Sequence, residues 1–116
     1  MYADRFLIVA AGLCGAAGVA LSAAAAHAGG GNVATAASFL LMHAPVFLAV
    51  GLLGSGRWLR MAAFVLLAGV ALFAGDLIAR HYLGGRLLPM AAPAGGMLMI
   101  GGWLAIAGAG LVRRAA

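Results

Sequence analysis

Apolar residues run in four long stretches, at about 6–28, 33–56, 61–79 and 90–112, with polar residues gathered between them. Each stretch is close to the ~20 residues that carry a helix across the hydrocarbon core of a bilayer. Lipid offers the backbone no hydrogen-bond partners, so only helices and closed barrels span it. The stretches lack the alternation of barrel strands. The pattern predicts an all-α fold: an integral membrane four-helix bundle, one transmembrane domain over residues 1–116.

The punctuation fits this reading. Gly29-Gly30-Gly31-Asn32 predicts a short turn between the first two helices, and Gly54-Ser55-Gly56 a turn followed by the interfacial anchors Arg57, Trp58 and Arg60. Gly84-Gly85-Arg86 and Pro89 mark the third connection. Pro45 lies inside the second helix and cannot donate to the carbonyl of Leu41, which predicts a kink there. Pro93 lies near the start of the fourth run, where a missing N–H is harmless. The first run has a second reading. Asp4-Arg5, the apolar run to Leu21 and Ala26-His27-Ala28 together have the layout of a cleavable signal peptide. Against cleavage stand a weakly basic start and small residues at helix-packing spacing, Gly18, Ser22 and Ala26.

Composition sharpens the choice of solvent. The chain of 116 residues is 66% hydrophobic and only 8% charged, with a mean hydropathy of +1.16. A soluble domain needs far more polar surface. The lipid bilayer is therefore the first partner. The net charge of +5 comes from seven Arg that punctuate the apolar runs and form no basic stripe, so nucleic acid is not an expected partner. Arg5, Arg57, Arg60, Arg113 and Arg114 fall on one side and Arg80 and Arg86 on the other, which predicts that both termini are cytoplasmic. Cys14 stands alone, so no disulfide or cysteine metal site is expected.

Candidate chemistry is sparse. Asp76 is one of two acidic residues and the only one inside an apolar run. A carboxylate at membrane depth is costly unless paired or turned to a cavity. Arg80, one turn on, predicts an ion pair along the helix; the alternative is a polar cleft shared with His27 or Thr35. For His43 the plain reading is a buried imidazole bonded to a carbonyl freed by Pro45, and the sharper one is a proton-carrying or ligand-contacting group. The candidate intramembrane set is thus His27, Thr35, His43, Asp76 and Arg80. Haem would want a second axial ligand at the depth of His43, and zinc would want three or four ligands, for which His27, His43 and Asp76 supply three if they converge. Trp103 is too deep for an interfacial belt, so its N–H is expected to donate inside the bundle. No nucleophile–base set or phosphate loop is visible, so no enzyme activity and no cofactor are expected. Small-residue faces on several helices predict a homo-oligomer or a membrane-protein partner, and a structural or interaction role. The rival function is a small-molecule or proton pathway through Asp76, His43 and Thr35.

Several motifs resemble those of the YgdD-like small inner-membrane proteins, a bacterial family of uncharacterised function with eukaryotic relatives. The similarity runs from about residue 5 to 112 and rests on Val19 to His27, on Met42-His43-Ala44, and on the last two helices. There Leu72-Phe73-Ala74-Gly75-Asp76-Leu77, Pro93-Ala94-Gly95-Gly96 and Gly102-Trp103 follow in the family's order. The departures are Ala74 and Asp76 in place of a serine pair, Ile78 in place of a tyrosine, and Phe39-Leu40 in place of Tyr-Gln. The connection between the first two helices is also shorter than the family's. The resemblance implies a four-helix protein of the bacterial inner (cytoplasmic) membrane with both termini inside. It implies no reaction.

Overall fold

A computed structural model describes residues 3–53, 56–86 and 88–112, and it contains four helices. They are α1 (Arg5–Ala28), α2 (Gly31–Leu53), α3 (Arg57–Tyr82) and α4 (Ala91–Leu111). All four are long and apolar enough to cross a membrane. At 1.5 Å per residue the shortest spans about 30 Å.

Local chemistry sets the ends. Asp4 caps α1, its side chain accepting from the Leu7 N–H at 3.2 Å. Gly29 closes α1 with φ at 76°, a conformation that glycine adopts without steric cost. The glycine turn is shorter than expected, because α2 already begins at Gly31. The helix then continues through Pro45 to Leu53; Gly54 and Ser55 lie outside the described residues, and Gly56, the expected limit, is not helical. α3 begins earlier than its apolar run suggests. Arg57, Trp58 and Arg60 form its first turn, since polar and aromatic residues at a membrane interface still propagate a helix. Its far end extends through Arg80, His81 and Tyr82. α4 follows Met90, whose φ of 68° turns the chain inward, and Pro93 lies in its first turn.

The packing runs in chain order, α1 on α2, α2 on α3 and α3 on α4. In α2 and α3, 44% of the most apolar 18-residue stretch is buried, against 17% in α1 and α4. The middle pair is therefore the core and the outer pair are edges. The cross-section is flattened, with principal extents of 51 × 26 × 18 Å. Leu7, Phe47, Leu66 and Val70 are fully enclosed in the core.

Glycines set how closely the helices approach. A Cβ on Gly69 would lie 2.8 Å from the Gly95 carbonyl oxygen and the Met99 nitrogen. A Cβ on Gly95 would lie 2.7 Å from the Gly69 oxygen and the Phe73 nitrogen. The two backbones thus touch reciprocally, with no room for any other residue.

One end is clamped across helices. Arg60 of α3 donates to Asp4 beside α1 and lies over the Phe64 ring at 5.2 Å, while Phe6 of α1 stacks on Phe64 at 5.6 Å. The Asp4 N–H also donates to the Gly51 carbonyl of α2 at 2.8 Å. The Arg60 hydrogen bond holds the Asp4 carboxyl below the ordinary carboxylate range, against a smaller opposing effect of burial.

Candidate functional site

His43 is buried at the middle of α2. Its Nδ1 lies 2.8 Å from the Phe39 carbonyl oxygen, one turn back on the same helix. Its Nε2 lies 3.1 Å from the indole nitrogen of Trp103 on α4. An indole N–H can only donate, so Nε2 accepts, and Nδ1 therefore carries the proton and donates to Phe39. Both ring nitrogens are occupied in the neutral Nδ1–H form. The carbonyl is that of Phe39, not the Leu41 carbonyl that Pro45 leaves without an N–H, because a χ1 rotamer along the helix points the ring back one turn.

Aromatic rings surround this imidazole. Phe39, Phe47 and Trp103 have centroids 6.1, 6.4 and 5.7 Å away, and Phe73 of α3 packs on Phe39 at 4.7 Å. Gly102 explains how Trp103 reaches so far. A Cβ there would sit 2.7 Å from Leu66 Cγ, so the glycine lets α4 settle against α3 while its neighbour extends to α2. Trp103 itself remains partly exposed on its outer side.

Asp76 is fully buried on α3, and its Oδ2 accepts from Arg80 at 2.8 Å. Arg80 is partly exposed, its side chain reaching toward the outside from a buried root. The Arg80 Nε is enclosed with no hydrogen-bond partner among the described residues. The ion pair along the helix is thus present.

Of the remaining candidates, His27 and Thr35 are exposed, whereas Asp76 is buried. His81 instead lies against the backbone of Gly30, where a Cβ would come within 2.7 Å of the ring. Phe39 and Phe73 pack together, so His43 lies about seven residues, or ~10 Å along the helix axes, from the level of Asp76. Among the described residues no three His, Cys, Asp or Glu side chains gather as a metal site. Pro93 lies in the first turn of α4 and Gly95 is buried against α3, whereas a Cβ on Gly96 would meet nothing within 4 Å; Gly75 is half-buried on α3.

Sequence reasoning missed the pairing of His43 with Trp103, sixty positions apart. The available signals were the depth of the tryptophan and the glycine beside it. The Asp4–Arg60 clamp was also missed, because contact between α1 and α3 depends on how the helices are ordered in space.

Four apolar helices, with the central polar groups engaged by one another and by the backbone, define a multi-pass helical membrane protein. A family model described as protein of unknown function (DUF423) matches residues 14–96, and the chain belongs to that family. This agrees with the resemblance carried by the motifs of α3 and α4. No curated protein and no solved structure matches the chain.

Proposed function

We propose that this protein is a non-enzymatic component of a membrane assembly, associating laterally with copies of itself or with another membrane protein. The observation that carries this reading is the unused outer face of the edge helix α1. Gly12, Ala16 and Ala20 are exposed there at four-residue spacing, and a Cβ on Gly12 would meet nothing within 4 Å. Faces of this kind let a second helix approach closely in lipid. The distribution of Arg supports a bacterial inner-membrane location with both termini cytoplasmic, since Arg5, Arg57 and Arg60 share one end and Arg80 and Arg86 the other. Arg113 and Arg114, which add to the first group, lie outside the described residues.

Chemical crosslinking in native membranes at native abundance tests the proposal. A defined oligomer or partner adduct is the expected product, whereas recovery of monomer alone contradicts it. The rival pathway through Asp76, His43 and Thr35 has less support, because both nitrogens of His43 are engaged and Thr35 is exposed. A pathway would lose a flux or ligand signal in Asp76→Asn and His43→Ala with folding intact; the structural reading predicts that the same variants act through stability.

A further inference from the structure

A groove of about 490 Å³ lies between the first turns of α3 and the last turns of α4, lined by Arg57, Trp58, Met61, Ala62, Val65 and Ala105. Its size is that of a small-molecule site, and its walls are apolar apart from one cation at the end. Small residues leave room for it: Ala62 and Ala105 line the groove where larger side chains would fill it. Trp58 is fixed in the seam, donating to the Ala105 carbonyl at 2.7 Å, with its ring 3.1 Å from where a Cβ on Gly108 would sit.

Among the described residues nothing neutralises the charge at the end of the groove. The sequence has only two acidic residues, and each is engaged by another arginine, Asp4 by Arg60 and Asp76 by Arg80. Arg57 is exposed and has no ion pair among the described residues. No side chain caps the N-terminus of α3 at Gly56, so the first N–H groups of that helix point toward the same interface. An apolar trough along the membrane normal, ending at interfacial depth in an uncompensated guanidinium, has the layout of one lipid molecule.

We infer that this groove binds an anionic phospholipid of the leaflet in which α3 begins, with an acyl chain along Met61, Val65 and Ala105 and the phosphate on Arg57. The lateral partner proposed above is not required, because the groove lies on the α3–α4 seam and not on α1. Arginine suits the phosphate through paired N–H donors, and an attraction of this kind near a surface favours anionic over zwitterionic lipid by about five-fold.

Native mass spectrometry of the purified full chain in detergent, titrated with phosphatidylglycerol and with phosphatidylcholine of matched acyl chains, tests the inference. The wild type is expected to bind one phosphatidylglycerol about five-fold more tightly than phosphatidylcholine. Arg57→Gln should reduce that ratio to about one, and Arg57→Lys should retain part of it. Val65→Phe, which fills the trough, should weaken both lipids while circular dichroism and thermal unfolding show the helices intact. If Val65→Phe unfolds, Met61→Trp blocks the same trough from its exposed wall and is read in the same way. Equal binding of the two lipids by the wild type overturns the inference, and so does an unchanged preference in Arg57→Gln. Displacement of phosphatidylglycerol by inorganic phosphate at comparable concentration would likewise overturn it, by showing that the site takes a free anion.

Discussion

At the scale of residues, what distinguishes this chain is how it satisfies polar groups where water is absent. His43 uses one nitrogen on its own helix and the other on an indole from α4, so the ring is both neutral and oriented. Its hydrogen bond to Trp103 should show in a double-mutant cycle of His43→Phe and Trp103→Phe, followed by reversible unfolding in detergent. A coupling of about 1 kcal/mol is expected, the usual scale for a hydrogen bond between helices in lipid. A value near zero would mean that the contact does not contribute. Asp76 and Arg80 form a pair of the opposite kind, a buried carboxylate against a guanidinium that reaches outward. Arg80→Ala should destabilise by about 2–3 kcal/mol, less than for a fully enclosed pair because Arg80 is partly exposed. Adding Asp76→Ser, the residue type of the resembling family, should recover a large part of that loss. A double variant less stable than Arg80→Ala would contradict this account of the pair. The Arg80–Asp76 pair was legible in the sequence because a four-residue spacing is a local rule. The Trp103 partner was not, because it depends on where two helices cross.

At the scale of elements, the four helices could be read from hydrophobic runs, with the ends of α1 and α4 placed to within a residue and those of α2 and α3 only to within about a turn. α3 begins in residues that look like a loop, Arg57 to Arg60, because interfacial side chains and helical backbone are compatible. α2 begins inside a glycine run, because two residues suffice to reverse the chain. The close contact of α3 and α4 is also only half visible in sequence. Small residues mark both helices, yet only the structure picks out Gly69 and Gly95 as the pair whose backbones touch. Gly69→Ala and Gly95→Ala should each cost more than about 2 kcal/mol, since the added carbon meets backbone that cannot move aside. Gly12→Ala and Gly101→Ala, where nothing lies within 4 Å, should be neutral or slightly stabilising to the monomer. Thermal unfolding of the four variants in one detergent makes the comparison, and equal losses in all four would contradict it. The Asp4–Arg60 clamp joins elements that are far apart in the chain, and it gives a pH dependence. The Asp4 carboxyl is held below its ordinary range in the folded state, so the unfolded chain takes up the proton first as pH falls. The clamp's contribution is therefore complete above the ordinary carboxylate range and is lost as pH falls through the depressed folded value. The stability difference between wild type and Asp4→Asn, which keeps a capping side chain, should shrink to zero at low pH. A difference that is constant with pH would show that the charge plays no part.

At the scale of the whole molecule, the order of packing decides which surfaces remain for other work. α2 and α3 are each packed on two sides, α2 by α1 and α3, and α3 by α2 and α4, whereas α1 and α4 are edges with wide apolar faces. On α4 that face carries large side chains, Met97, Ile100 and Leu104, suited to lipid tails. On α1 the small residues Gly12, Ala16 and Ala20 form a shallow strip between the exposed Val9, Leu13 and Val19, along which a second helix can approach closely. Membrane spanning was legible from composition alone. Which of the many small residues face inward was not, because Gly18 is buried against Leu41 while Gly12, six residues earlier, meets nothing. The central claim is that α1 presents a contact face to another protein. Its most direct test is a photo-crosslinking residue placed at Ala16 in the full-length protein in native membranes, with one at Met97 for comparison. The account predicts a discrete protein adduct from position 16 and none of comparable yield from position 97. Lipid adducts alone from both positions would contradict it.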